Sequence, residues 1–158
     1  MCSSDLGNVG RTEAGDVQVM SAGTGVTHSE YNLEDNLCRL FQIWIMPREL
    51  GMAPRWDQRQ FPRGGSSGEF TILASGYGED GALAINADAR ILGASMAAGE
   101  TFSYDLESGR YAYLVVSKGR IRVNGSEGDA RDGFAIRGDG VLIIEALADA
   151  ELVMVDSA

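Results

Sequence analysis

Glycine punctuates this chain, and what stands between the glycines is short. There are 21 glycines among 158 residues, roughly double the usual share. Phe70 to Ala74, Ala82 to Asn86, Ala89 to Met96, Tyr111 to Val116, Arg120 to Val123, Phe134 to Ile136, Val141 to Ala146 and Glu151 to Val155 read as short strands. Ser117-Lys118-Gly119 is expected to close a hairpin, and Asn124-Gly125 a type I′ turn. Leu37 to Met46 is a nearly continuous apolar run closed by Pro47, and it reads as a strand buried on both faces. No stretch carries convincing helical periodicity. Many short strands with glycine turns argue an all-β sandwich or barrel. The expected interior includes Leu114, Val116, Ile121, Val123, Ile143 and Val153, with Met20, Met46, Met96 and Met154 as core filling.

One stretch breaks the rhythm. From Arg48 to Gly68, with Pro47 just before it, prolines recur at Pro54 and Pro62, and Arg55, Arg59 and Arg63 stand among Trp56, Gln58 and Phe61. It reads as a long connection between two β units. A binding loop using Trp56 and Arg59 is one reading. A linker pinned across a neighbouring sheet by its aromatics is the favoured one.

Charge and composition exclude several functions. The formal charge is −10 and the isoelectric point about 4.4, which repels phosphate backbones and argues against nucleic-acid binding. No apolar run reaches the roughly 18 residues of a membrane span, and no basic-then-apolar leader opens the chain. Cys2 and Cys38 follow no metal-ligand spacing and are not expected to pair. A reducing cytoplasm is the expected compartment. Gly76 to Gly81 fits a GxGxxG pattern, but no helix follows it and Glu79 and Asp80 would repel a pyrophosphate, so a β-turn is expected. Glu34-Asp35 and Glu79-Asp80 read as solvated loops.

The chemistry concentrates at the single histidine. His28 and Glu30 lie two residues apart after a glycine-rich turn. On an extended segment they share a face, because strand side chains repeat with period two. An imidazole and a carboxylate aimed at one point form half of a divalent-metal site. Ser29 faces the other way, which rules out a nucleophile–base pair with His28. Taken alone, a lone histidine near a strand end is more often structural than a ligand. A weak internal repeat sets Gly23 to Glu30 beside Gly138 to Glu145, with Ile143 in the place of His28. On that alignment the second unit has replaced a metal position by a core aliphatic.

The residues around His28 also match a known pattern. The second motif of the cupin superfamily is Gly, five residues, Pro, any residue, Gly, a short gap, His, three residues, Asn. Gly15, Ser21 in the proline place, Gly23, His28 and Asn32 stand in that order, with two extra residues in the gap. The wider text, Gly15 to Asn32 and Leu40 to Pro47, resembles the pirin family. The resemblance runs from about Gly7 to the C-terminus; Met1 to Leu6 match no part of the family.

That resemblance implies a cupin fold: jelly-roll β-barrels, with one near-complete C-terminal cupin and the tail end of an N-terminal one. The expected organisation is 1–47 as a remnant of the N-terminal, metal-binding cupin, 48–68 as the connection, and 69–158 as a metal-free C-terminal cupin. The implied activity is of the quercetin 2,3-dioxygenase type, ring cleavage of a flavonol by dioxygen, with Fe(II) or another divalent metal. The family binds its metal through three histidines and a glutamate. His28 and Glu30 match the third histidine and the glutamate, and Glu30 is the candidate base for the flavonol 3-hydroxyl. The other two histidines belong to a His-any-His motif that this sequence lacks. The chain by itself is therefore expected to be inactive and to self-associate through open strand edges. The alternative is a non-enzymatic cupin module that binds a protein or small ligand in a regulatory role.

Overall fold

The computed structural model describes residues 2–4, 7, 9–61, 68–138 and 140–158, the first three by their backbone. Pro62, Arg63, Asp5, Leu6 and Asp139, as well as the side chain of Cys2, lie outside that description. The chain is all-β, with no helix among the described residues. Its N-terminal part carries β1 (Cys2–Ser4), β2 (Val9–Gly10), β3 (Val17–Ser21), β4 (His28–Glu30) and β5 (Arg55–Arg59). Then come β6 (Thr71–Ser75), β7 (Leu83–Ala84), β8 (Ala89–Met96), β9 (Thr101–Leu106) and β10 (Tyr111–Lys118). The last are β11 (Arg120–Val123), β12 (Ser126–Asp129), β13 (Gly133–Arg137), β14 (Gly140–Ala146) and β15 (Ala150–Ser157).

From β6 onward the strands form two facing sheets. One has the order β13-β10-β15-β8-β6-β7, the other β12-β11-β14-β9. The long strands β8, β10 and β15 bury alternate residues. β10 sends Ala112, Leu114 and Val116 inward and leaves Tyr111 and Tyr113 outside. Leu92, Leu106, Ile121, Ile144, Leu152 and Met154 meet these in one core, so this barrel is filled by its own side chains, as close packing demands.

Several expectations are met. β8 and β11 have the bounds read from the sequence. Asn124 and Gly125 both take positive φ, 45° and 88°, and join β11 to β12 as a type I′ turn does. Leu114, Val116, Ile121, Val123, Met96 and Met154 are buried.

Others are corrected. Ile143 is 53% exposed, and Leu142 and Ile144 face the core in its stead. Val153 is half-buried, between the inward Leu152 and Met154. Ser117-Lys118-Gly119 closes no hairpin: β10 and β11 belong to different sheets. The chain turns a corner there from one sheet to the other. Gly119 sits at the corner with φ of 85°, and a Cβ would collide with the backbone carbonyl of Asp149. Gly119→Ala is therefore expected to lower the midpoint of urea unfolding sharply, by about 2 kcal/mol or more of stability; an unchanged midpoint would show that the corner relaxes freely.

The run from Leu37 to Met46 is the largest correction. It joins no sheet, and Trp44 is 86% and Met46 84% exposed. A strand becomes buried only between neighbours that pair with it, and no described strand lies beside this one. The stretch read as a connection in turn carries β5, which pairs antiparallel with β3, Val17 opposite Arg59 through Ser21 opposite Arg55. Trp56 packs under Gly10 and Arg59 donates to the Gly81 carbonyl, so neither stands out as a binding-loop contact. This two-stranded sheet rests on the barrel through Val17, Val19 and Phe61 against Ala74, Leu83, Ile85 and Ile91.

Candidate functional site

The turn before His28 is shaped by close backbone approach. Gly23 has φ of 54°, and a Cβ on it would meet the Met52 carbonyl oxygen. The Thr24 amide donates to that same carbonyl at 3.1 Å, and the Gly25 amide to Ala22 O at 2.8 Å. The chain leaves this turn as β4, which stands at the end of the sheet order β2-β1-β4 among the described residues. Ser4 stands opposite His28 and Cys2 opposite Glu30 in the β1 register. His28 and Glu30 lie on one face and are exposed, while Ser29, on the other face, is half-buried. The Asn32 side chain folds the following loop, accepting from the Glu34 amide at 3.1 Å and donating to Asn36 O at 2.8 Å. Glu34 pairs with Arg11. Cys38 is a free, exposed thiol.

Whether these residues suit a resident metal is a matter of donor count. Among the described residues no group of three or more His, Cys, Asp or Glu side chains converges as a metal site would need. His28 and Glu30 are two donors of the right chemistry on an open edge. A single copy of the chain does not close a coordination sphere around a transition metal.

A second constellation, unsuspected from the sequence, lies at one end of the barrel. Asp156 is 1% exposed and accepts from Arg110 Nε at 2.6 Å and from the Tyr104 hydroxyl at 2.5 Å. Arg110 Nη1 reaches Tyr77 Oη at 2.8 Å and Asp88 Oδ1 at 2.9 Å. Tyr77 donates to Asp88, and the Arg90 guanidinium lies 4.4 Å from its ring centre. Arg90 Nε donates to Glu79 at 2.7 Å, so Glu79 is half-buried and paired rather than solvated. Burial, reinforced by the Asp156 carboxylate, pushes the Tyr104 hydroxyl well above its ordinary range. The hydrogen bonds from Tyr77 and then Arg110 hold the Asp88 carboxyl below its own. Each of the three carboxylates is paired with one of the two arginines, Asp156 with both, as in a structural ion network. The signal for it was Asp156 itself, a carboxylate on the inward phase of β15.

The Gly76–Gly81 stretch is a turn, as expected. Ile143, set beside His28 by the internal repeat, lies on the outer face of β14. It therefore does not occupy a former metal position inside the barrel.

Comparison with known proteins supplies the wider frame. A family model described as pirin matches residues 3–45, and one described as the quercetinase C-terminal cupin domain matches residues 72–157. The first match begins at Ser3, so the likeness starts earlier than Gly7. The chain is 55% identical, over 98% of its length, to a pirin-like protein of Caulobacter vibrioides, of which it covers 67%. It is 35% identical, over 96% of its length, to a quercetin 2,3-dioxygenase of Escherichia coli K12, covering 64% of that protein. The crystal structure of YhhW from Escherichia coli superposes with a TM-score of 0.92 at 32% identity, covering 99% of this chain and 66% of that one. A structure of the same bacterial pirin in complex with nickel(II) gives 0.86 at 33% identity, covering 99% of this chain and 67% of that one. The chain thus spans about two thirds of the length of the relatives it matches. With the C-terminal cupin matched over its whole barrel, and close relatives at this identity, the chain belongs to the pirin family.

Proposed function

We propose that this chain carries the C-terminal part of a quercetin 2,3-dioxygenase-type site, with His28 and Glu30 as two of its metal ligands. The observation that supports this most is that His28 and Glu30 share the exposed face of an edge strand, within a stretch that the pirin model matches. A quercetin 2,3-dioxygenase is among the relatives, and a bacterial pirin structure is in complex with nickel(II), in keeping with a divalent metal, Fe(II) by the family resemblance, and a flavonol-like substrate. Glu30 is the base for the substrate's 3-hydroxyl proton. The organisation that goes with this reading is 1–47 as part of a metal-binding cupin, 48–68 joining it to the barrel, and 69–158 as a cupin that holds no metal. The packed core of that barrel, built on Leu114, Ile144 and Met154, supports the last point.

The test compares the chain with a version extended upstream by a pirin-like segment bearing two histidines. The extended chain is expected to bind metal stoichiometrically and to consume oxygen with quercetin; the present chain is not expected to turn over. His28→Ala should abolish both properties. Glu30→Gln should lower turnover by about 10²–10⁴-fold, the range of general-base catalysis, with a smaller effect on flavonol binding. Full turnover by the present chain as a monomer, or an extended chain indifferent to His28→Ala, would refute the assignment. A second reading, a regulatory cupin that binds without turnover, is favoured by the donor count, since the described residues of one copy close no metal site.

A further inference from the structure

We propose that the outer face of β10, β13 and β15 holds a binding site for an aromatic carboxylate, separate from His28 and Glu30. The strand register builds it. On that face Tyr111 stands opposite Arg137 of β13 and Ser157 of β15, and Tyr113 stands opposite Ala135 and Val155. Both tyrosines are exposed, as are Ala135 and Arg137, while Val155 and Ser157 are half-buried. A row with a guanidinium, a phenol and a hydroxyl thus lies beside a row whose tyrosine is flanked by small apolar side chains. Tall and short side chains leave a hollow of about 300 Å³ between them, at the lower end of the range for small-molecule sites.

Two contacts keep the hollow open. A Cβ on Gly133 would collide with the ring and hydroxyl of Tyr113. Gly133 stands opposite Val115, the next outward position along β10, so the Tyr113 ring leans over Gly133 and away from Tyr111. On the other side the Arg137 guanidinium lies 5.8 Å from the centre of the Tyr111 ring. Stacking of this kind orders the long arginine side chain before a ligand arrives.

The lining names the occupant. Two tyrosine rings and the short Ala135 and Val155 side chains accept a flat apolar body, and rings stack offset or edge-on against tyrosine. Arg137 is the one charged residue lining the hollow, and it pairs with no carboxylate among the described residues. Arg90, Arg110, Arg120 and Arg122 of the same barrel each do. A guanidinium presents a fork that matches a carboxylate. A neutral ring would leave that fork unused, and an aliphatic acid would leave the tyrosines unused. The net charge of −10 opposes an anion at long range, but at physiological salt such repulsion is screened beyond about 8 Å. Inside that distance the charge lining the hollow is positive.

The test titrates the chain as it stands with sodium benzoate at constant ionic strength, followed by backbone amide NMR. Saturable shifts are expected around Tyr111, Tyr113, Arg137 and Val155. Benzamide, which has the shape without the charge, should bind at least about tenfold more weakly, and Arg137→Gln should weaken benzoate by a similar factor. Cyclohexanecarboxylate, which has the charge without the flat ring, should bind several-fold more weakly. Gly133→Ala should weaken benzoate by turning the Tyr113 ring into the hollow; Gly133 is exposed, so the circular-dichroism spectrum should stay that of the parent. Benzamide binding as tightly as benzoate would overturn the site, as would an Arg137→Gln variant that binds unchanged. Shifts that spread over the whole chain or fail to saturate would mark a general effect of salt and overturn it too. His28→Ala should leave benzoate binding as it is; its loss there would place the anion on β4 and refute the proposal without touching the assignment of His28 and Glu30 as metal ligands.

Discussion

Ile144→Asp is expected to abolish folding of the barrel, while Ile143→Asp, one residue away, leaves it folded. Ile144 is fully buried in the core that joins the two sheets. Losing a buried isoleucine removes about 1.5–3 kcal/mol of hydrophobic stabilisation, and an unpaired carboxylate in its place adds several more. Together these approach or exceed the whole stability of an ordinary domain, about 5–15 kcal/mol. Ile143 points to solvent on the outer face of β14, beside Glu145, whose carboxylate already pairs with Arg122 at 2.5 Å. The check is far-UV circular dichroism and thermal melting of both variants. A cooperative native-like melt for Ile144→Asp, or collapse of Ile143→Asp, would reverse the phase assigned to this strand.

Asp156→Ala should cost about 3–5 kcal/mol, the scale observed when one partner of a buried ion pair is removed. The Asp156 and Arg110 side chains are 2% and 11% exposed, so solvent screens their pairing little. The substitution leaves the Arg110 guanidinium without its innermost carboxylate and the Tyr104 hydroxyl without its acceptor. Pairing the change with Arg110→Met should recover part of the loss, because the uncompensated charge is then gone. Urea titrations of the two single variants and the double variant read this directly. A single-variant loss under about 1 kcal/mol, or strict additivity in the double, would place the network outside the stability of the barrel.

How far the sequence revealed this molecule depended on whether a segment alternated. β8 and β11 alternate inward and outward residues, and their bounds were readable. The Val141-Leu142-Ile143-Ile144 run does not alternate, and its phase was misjudged from a chance likeness to the His28 region. Glu145 would have set it: a charge that must face out puts Ile143 out as well, and Ile144 in. β9 was missed because Thr101, Ser103 and Asp105 thin its apolar signal, though Phe102, Tyr104 and Leu106 face the core side. β5 was hidden among prolines and arginines, and its pairing with β3 is a long-range fact that no local pattern states. Leu37 to Met46 was misread for the opposite reason. Its composition describes what such a segment prefers, and whether it is covered depends on strands elsewhere. At the candidate site, the shared face of His28 and Glu30 followed from spacing alone.

The place of β15 in the barrel has a consequence for how this polypeptide is made. The last strand in the sequence is an interior strand of its sheet, hydrogen-bonded to β10 on one side and β8 on the other. During synthesis the larger sheet is therefore split in two until β15 has emerged from the ribosome. Closure of this sheet waits for β15, and its central pairings join segments far apart in sequence, the kind of closure that is slow. During that interval the apolar faces of β8 and β10 are open to other molecules.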